Sequence, residues 1–213
     1  MAIKNYILEH PFFYRLYQSI VRKKKNEYLF FDYIFSKISK KKPIRMLDIC
    51  SGDSHILNYV NEHVENYLGV DNNEKYLKNL SKKWPKYKFL NLDIKKKETL
   101  EIINNYEPNF IFINGAIHHL DDTTVGSVKF LINKFKNSFF LSVDPIIFNN
   151  NFINKIMIDM DRGKFIRTDK EYKKLMSEFE KMIVDDFYTM SFMNIFHYKN
   201  FDLKEYYNSW KKI

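Results

Sequence analysis

Ile44-Arg-Met-Leu-Asp-Ile-Cys-Ser-Gly-Asp-Ser54 is the stretch on which the reading of the whole chain turns. Ile44, Met46, Leu47 and Ile49 form an apolar run of strand length, buried on both faces. Small and polar residues follow through Ser54, and residues 55–60 read as a helix. A strand, a tight turn and a helix start make a cradle. Backbone N–H groups there can meet a polar ligand, and small side chains let it approach the main chain. Of the small positions only Gly52 is glycine. A left-handed backbone at Cys50 would cost about 1 kcal/mol or more, so the turn is expected to suit an L-residue there.

Downstream, strands and helices alternate. Asn66-Tyr-Leu-Gly-Val-Asp71 reads as a second strand, with Asn72 or Asn73 capping the next helix, whose face holds Tyr76, Leu77, Leu80 and Trp84. Tyr87-Lys-Phe-Leu-Asn-Leu-Asp93 is a third strand and Asn109-Phe-Ile-Phe-Ile-Asn114 a fourth. Asp121-Asp-Thr-Thr starts a helix with Val125, Val128, Leu131, Ile132 and Phe135 inward. Ser138-Phe-Phe-Leu-Ser-Val-Asp144 is a fifth strand stopped by Pro145. This alternation implies a parallel sheet with right-handed crossovers and helices on both faces. Ligands of such sheets bind beyond the carboxyl ends of the strands. Asp48 lies near that edge, and Asp71, Asp93, Asn114 and Asp144 end their strands. The ordered recurrence of these polar residues is the strongest pattern in the chain.

Upstream, residues 1–42 read as a helical preface. Phe13, Leu16, Tyr17 and Ile20 recur at helical spacing, Tyr14 and Gln18 share another face, and Tyr28, Phe31, Ile34, Phe35 and Ile38 continue after a Lys run. Beyond Pro145, Ile153, Ile156, Met157 and Met160 give one helical face, with Gly163 where a C-terminal cap would be. Thr168-Asp-Lys-Glu171 has capping-box spacing ahead of Tyr172, Leu175, Met176 and Phe179. Arg162 and Arg167 could clamp an anionic or polar substrate bidentately. Two last strands are read at 182–190 and 194–199.

The 213 residues suit one full core with a small appendage. Apolar residues at 45% argue against disorder. No apolar run approaches the roughly 18 residues of a membrane span, no signal-peptide core opens the chain, and one cysteine cannot form an internal disulfide. A cytoplasmic location is expected. The net charge of +9 admits nucleic acid or anionic partners, but the lysines are dispersed in short runs, as on solvated helix ends.

Asp48-Ile-Cys-Ser-Gly-Asp-Ser54 resembles the first motif of class I S-adenosylmethionine (SAM) dependent methyltransferases, an acid followed by glycines at alternate positions, with Cys50 and Ser54 departing from it. The resemblance covers residues 44 to about 145. It implies a Rossmann-like α/β fold, a seven-stranded, mostly parallel sheet with an antiparallel last strand. Residues 1–42 would be a helical lid over a 43–213 methyltransferase domain, with a helical insertion at about 146–181, before strand six. It implies SAM as cofactor, S-adenosylhomocysteine as product and no metal. Asp48, Cys50, Gly52, Asp71, Asn72, Asp93, Ile94 and Asn114 would hold the cofactor, Asp71 at the ribose hydroxyls and Asp93 with Ile94 at adenine. His10-Pro-Phe-Phe-Tyr-Arg-Leu-Tyr-Gln18 resembles a lid opening, which puts Tyr14 and Gln18 at the cofactor or substrate. Asp144, Arg162 and Arg167 would face the substrate.

Asn114-Gly-Ala-Ile-His-His-Leu-Asp-Asp122 resembles the fourth motif, making His119 the first candidate for base or substrate orienter and His118 the second. Adjacent side chains diverge on a regular element, and the pair lacks an i,i+4 partner or cysteines, which speaks against a metal. Cys50 reads as a packing residue rather than a nucleophile. The expected activity is methyl transfer to oxygen or nitrogen of a small molecule by a monomer or homodimer. The alternatives are a tRNA or rRNA methyltransferase, or a SAM-binding protein without catalysis.

Overall fold

The apolar runs that end in polar residues become neighbouring parallel strands. The computed structural model describes residues 23–148, 152–161, 163–187, 193–198 and 202–212. In chain order these give α1 (Lys24–Ser39), β1 (Ile44–Ile49), α2 (Leu57–Val60), β2 (Val64–Asp71), α3 (Glu74–Leu77), α4 (Leu80–Lys83), β3 (Lys88–Asn91), α5 (Lys97–Tyr106) and β4 (Phe110–Asn114). A 3₁₀ turn (Ile117–His119), α6 (Asp122–Lys134), β5 (Phe139–Ile147), α7 (Phe152–Met160), β6 (Arg167–Thr168), α8 (Asp169–Leu175), β7 (Glu180–Val184), β8 (Met193–His197) and α9 (Leu203–Trp210) follow.

The sheet order is β3-β2-β1-β4-β5-β8-β7, with the two-residue β6 added beside β5. β1 to β5 are parallel, and β8 runs antiparallel to both β5 and β7. This is the expected Rossmann-like sheet with a last strand of opposite direction, plus the short β6. The chain leaves β1 toward β2 on one side and reaches β4 on the other, so a crevice opens beyond the carboxyl ends of β1 and β4.

β1, β4 and β5 are buried on both faces, which explains their unbroken apolar runs. On one face, α1 inserts Phe30, Phe31, Ile34, Phe35 and Ile38, all inaccessible to solvent. Phe31 meets Phe112 edge-on at 5.4 Å between ring centres, and Phe35 meets Phe110 at 4.5 Å. Tyr28, expected inward, is exposed, and Phe30 takes the core position against Trp210 of α9. On the other face Val125, Val128, Leu131 and Ile132 of α6 pack with Ile103 of α5 and Tyr172 of α8.

Local signals behave as the side-chain chemistry requires. Asn73 accepts the Lys75 N–H, Asp121 accepts that of Thr124, and Thr168 with Glu171 completes a capping box. Three expectations change. The helix after β2 is two short helices, α3 and α4, burying Leu77 and Leu80 and leaving Tyr76 exposed. Pro145 does not stop β5: the Val143 carbonyl accepts from Gly115 on the β4 side, so the Pro145 nitrogen, two residues on, faces the same side, where β4 has ended. In α7 Ile156 is exposed and Asn154 is buried, donating to the Ile146 carbonyl and accepting from the Phe148 N–H. The side chains of Ile153, Met157 and Met160 lie outside the described residues. Among the described residues no helix is long and apolar enough to cross a membrane.

Candidate active site

The turn after β1 is built on left-handed backbone. Cys50 has φ 55°, Gly52 54° and Ser54 50°. This corrects the expectation for Cys50: the residues at both eroded glycine positions keep the conformation that glycine adopts without strain. A Cβ on Gly52 would meet nothing within 4 Å, so the turn opens onto empty space. The Gly52 N–H donates to Asp71 Oδ2 at 2.9 Å, and the Asn73 N–H donates to Asp71 Oδ1 at 2.8 Å. Asp71 is therefore fixed by two main-chain donors, each oxygen keeping a further lone pair. After β3, the Asp93 carboxylate accepts the Lys95 N–H at 3.0 Å, and the Asp93 carbonyl accepts from Thr99 at 2.6 Å.

Asp48 takes a different place from the expected one. It is buried behind the turn, where Tyr67 donates its hydroxyl at 2.5 Å. Burial pushes its carboxyl up to about 8, against the Tyr67 hydrogen bond and with help from the charges of Asp71 and Asp53. Burial also pushes the Cys50 thiol up to about 12, followed by the charges of Asp71 and Asp48. A thiol so disposed stays neutral, in keeping with a packing role.

At the end of β4 the chain enters the 3₁₀ turn, which carries His118 and His119. On this tight turn the two rings do not diverge as on a regular helix or strand: their centres are 4.1 Å apart. His118 is buried between two carboxylates, Nδ1 at 2.6 Å from Asp144 Oδ1 and Nε2 at 3.2 Å from Asp161 Oδ1. Asp144, with no solvent exposure, also accepts the backbone N–H groups of Ile117 and His118. Burial opposes charge on His118, but the hydrogen bonds to Asp144 and Asp161 outweigh it and raise the pKa to about 9. With both nitrogens engaged, His118 is placed to position its neighbours rather than to accept a proton. His119 is exposed.

Gly163 lies against this turn and is a close-approach glycine: a Cβ there would overlap His118 Cδ2. Arg167 is also structural. Its guanidinium donates to Asp122 at 2.7 and 3.2 Å, and to the carbonyls of Leu120, Phe165 and Ile117. That corrects the expected substrate clamp, since the fork is engaged in holding the turn. Tyr14, Gln18 and Arg162 lie outside the described residues.

One cavity of about 1130 Å³ gathers most of the remaining candidates along the carboxyl edge of the sheet. Cys50, Gly52, Asp71, Asn72, Asp93, Ile94, Asn114, His118 and His119 all line it; Asp48, Asp144 and Arg167 do not. Sequence reasoning missed several wall residues. His55 stands 3.4 Å from Asn114 Nδ2 and 3.7 Å from the buried Glu27 of α1, and Asp161 comes from the end of α7. The position of His55 directly after the turn is the one local signal for it; Asp161 opens the segment 161–167, in which the arginines rather than the carboxylate read as the substrate contacts.

No family model matches the chain, and neither does any curated protein. Solved structures do. The plantazolicin methyltransferase BamL, in complex with a triazolic desmethylPZN analog and SAH, is 14% identical and has a TM-score of 0.61, over 93% of this chain and 94% of that one. The methyltransferase domain of a bacterial CtHen1 is 12% identical with a TM-score of 0.56, over 80% and 98%. PH0226 from Pyrococcus horikoshii OT3 is 13% identical with a TM-score of 0.55, over 75% and 84%. This chain has the class I SAM-dependent methyltransferase fold.

In that methyltransferase fold the observed wall suits an adenosyl group. The space above Gly52 is clear, and Asp71 retains acceptor capacity for a vicinal diol. The volume exceeds the common range of roughly 300–1,000 Å³ for small-molecule pockets, leaving room for a second molecule.

Proposed function

We propose that the protein is a SAM-dependent methyltransferase that transfers a methyl group to oxygen or nitrogen of a small molecule. What carries the reading is the ordered wall of the cavity: the Gly52 turn, Asp71, Asp93 and Asn114 come from four successive strand ends, and the His118–His119 turn closes the row. Asp71 would take the ribose hydroxyls, while Asp93 and Ile94 would hold adenine. When bound, SAM supplies an electrophilic methyl group on a sulfonium.

The protein's part is alignment in a site closed to water, which lowers the barrier by several kcal/mol. His119, on the wall beyond Asn114, is the residue to orient the acceptor or take its proton. His118, held by Asp144, fixes the backbone from which His119 projects. Lys24, at the start of α1, is on the wall too. The desmethyl compound in the BamL structure supports an acceptor of metabolite type, since that chain and this one match over nearly their full lengths.

The test is transfer from methyl-labelled SAM, run separately on a small-molecule extract and on total RNA. Label in the small-molecule fraction, reduced about 10²-fold by His119→Ala, is the expected result. Label confined to RNA would replace the proposed acceptor class, and no label in either fraction with SAM still bound would favour a binding protein without catalysis.

A further inference from the structure

The 3₁₀ turn brings together a group of side chains that methyl transfer alone does not require. Ligand atoms of His118, His119 and Asp161 lie within 4.8 Å of one another on the cavity wall. Behind them, Asp144 holds Nδ1 of His118 at 2.6 Å and accepts two backbone N–H groups of the same turn. The opposite nitrogen, Nε2, is thereby aimed at Asp161. A buried carboxylate behind one imidazole nitrogen, fixing the tautomer and ring direction, is the support found behind metal-ligating histidines. Asp161 is itself anchored, its Oδ1 accepting the Gly163 N–H at 2.6 Å, and among the described residues Oδ2 has no hydrogen-bond partner.

We infer that His118 Nε2, His119 and Asp161 form a binding site for one divalent first-row transition-metal ion. Two imidazoles and a carboxylate favour zinc, iron, cobalt or nickel over magnesium or calcium. Ligand atoms about 2.1 Å from one ion in tetrahedral array stand about 3.4 Å apart, so the widest pair must close by up to about 1.4 Å. His119, exposed on the turn, can supply that movement by rotating its side chain. The ion takes the place of the proton between Nε2 and Asp161. With neutral imidazoles, its two positive charges balance Asp144 and Asp161. Its open positions face the cavity, where an acceptor oxygen or nitrogen could be polarised and oriented; His119 then acts on the acceptor through the ion.

The site is tested without SAM, so its failure leaves the methyltransferase reading standing. Chelator-treated protein is titrated with Co²⁺, followed by calorimetry and by visible d–d absorption. The expected result is one ion per chain, displaced by Zn²⁺ and not by Mg²⁺, with affinity at least tenfold weaker in His119→Ala and in Asp161→Asn. His119 is exposed, so its variant keeps the test usable if Asp161→Asn does not fold. Absence of one-to-one binding, or equal affinity in the wild type and His119→Ala, would overturn the inference.

Discussion

Asp144 Oδ1 lies 2.6 Å from His118 Nδ1, and both side chains are buried. A residue of β5 thereby fixes the turn that follows β4, and the turn in turn presents His119 to the cavity. The relation explains why β5 carries a polar residue in its interior that does not reach the cavity wall: it acts on the site through His118.

Gly163→Ala should destabilise the protein by about 1–3 kcal/mol, the usual range for overpacking. The new Cβ would overlap His118 Cδ2 and stand 3.0 Å from the His118 carbonyl oxygen, neither of which can move without disturbing Asp144. Urea denaturation measures it, as a lower midpoint at unchanged slope. A midpoint equal to wild type would mean that the segment 163–166 does not press on this turn.

Asp48 should make the protein less stable as pH rises. Its folded pKa, pushed by burial to about 8, is above the unfolded value of 3.8, so the native state holds the proton more tightly. Its contribution is fully present below the unfolded value and is lost as pH rises from there through about 8. Other carboxylates also titrate in this window, so the observable is the difference between wild type and Asp48→Asn. That difference should move in favour of the variant between pH 4 and pH 8 in denaturation experiments. A constant difference would contradict the buried, neutral carboxyl.

Cys50→Gly should stabilise the fold modestly. The left-handed backbone at Cys50 costs roughly 1–2 kcal/mol for an L-residue, against roughly 0.5–1 kcal/mol for the greater unfolded-state freedom of glycine. Ser54→Gly should behave alike, since Ser54 has φ 50°. Thermal denaturation of the single variants measures this. A clear loss of stability would show that the thiol's packing outweighs the backbone strain.

Arg167→Ala should lower stability by about 2–3 kcal/mol, because it removes charge-assisted hydrogen bonds to Asp122 and leaves carbonyls of the turn without donors. Calorimetric melting is the check. A substrate clamp would instead leave the melting temperature unchanged and alter only acceptor affinity.

The sheet was legible because burial on both faces leaves an uninterrupted apolar imprint, as in Phe110–Asn114, and because caps such as Asp121, Asn73 and Thr168 act on N–H groups two or three residues away. The candidate site was legible where it hangs on strand ends, as Asp71, Asp93 and Asn114 do. It was not legible where a residue acts against its own preference or across the fold. Cys50 and Ser54 adopt a backbone their side chains disfavour, held by the surrounding turn. The meeting of the His118 and His119 rings depends on a 3₁₀ turn, and the engagement of Arg167 and Asp161 on packing between segments some 40 residues apart. Asp48 sits inside β1, one residue before the strand ends, so its side chain goes to Tyr67 rather than to the edge.

Titration of S-adenosylhomocysteine into the purified protein, with Asp71→Ala beside the wild type, tests the central claim most directly. The cavity predicts one-to-one binding to the wild type, weakened by about 1–3 kcal/mol in the variant through loss of hydrogen bonds to an ionised carboxylate. No binding to the wild type, or equal affinity for both proteins, would contradict the assignment of this strand-end wall to an adenosyl group.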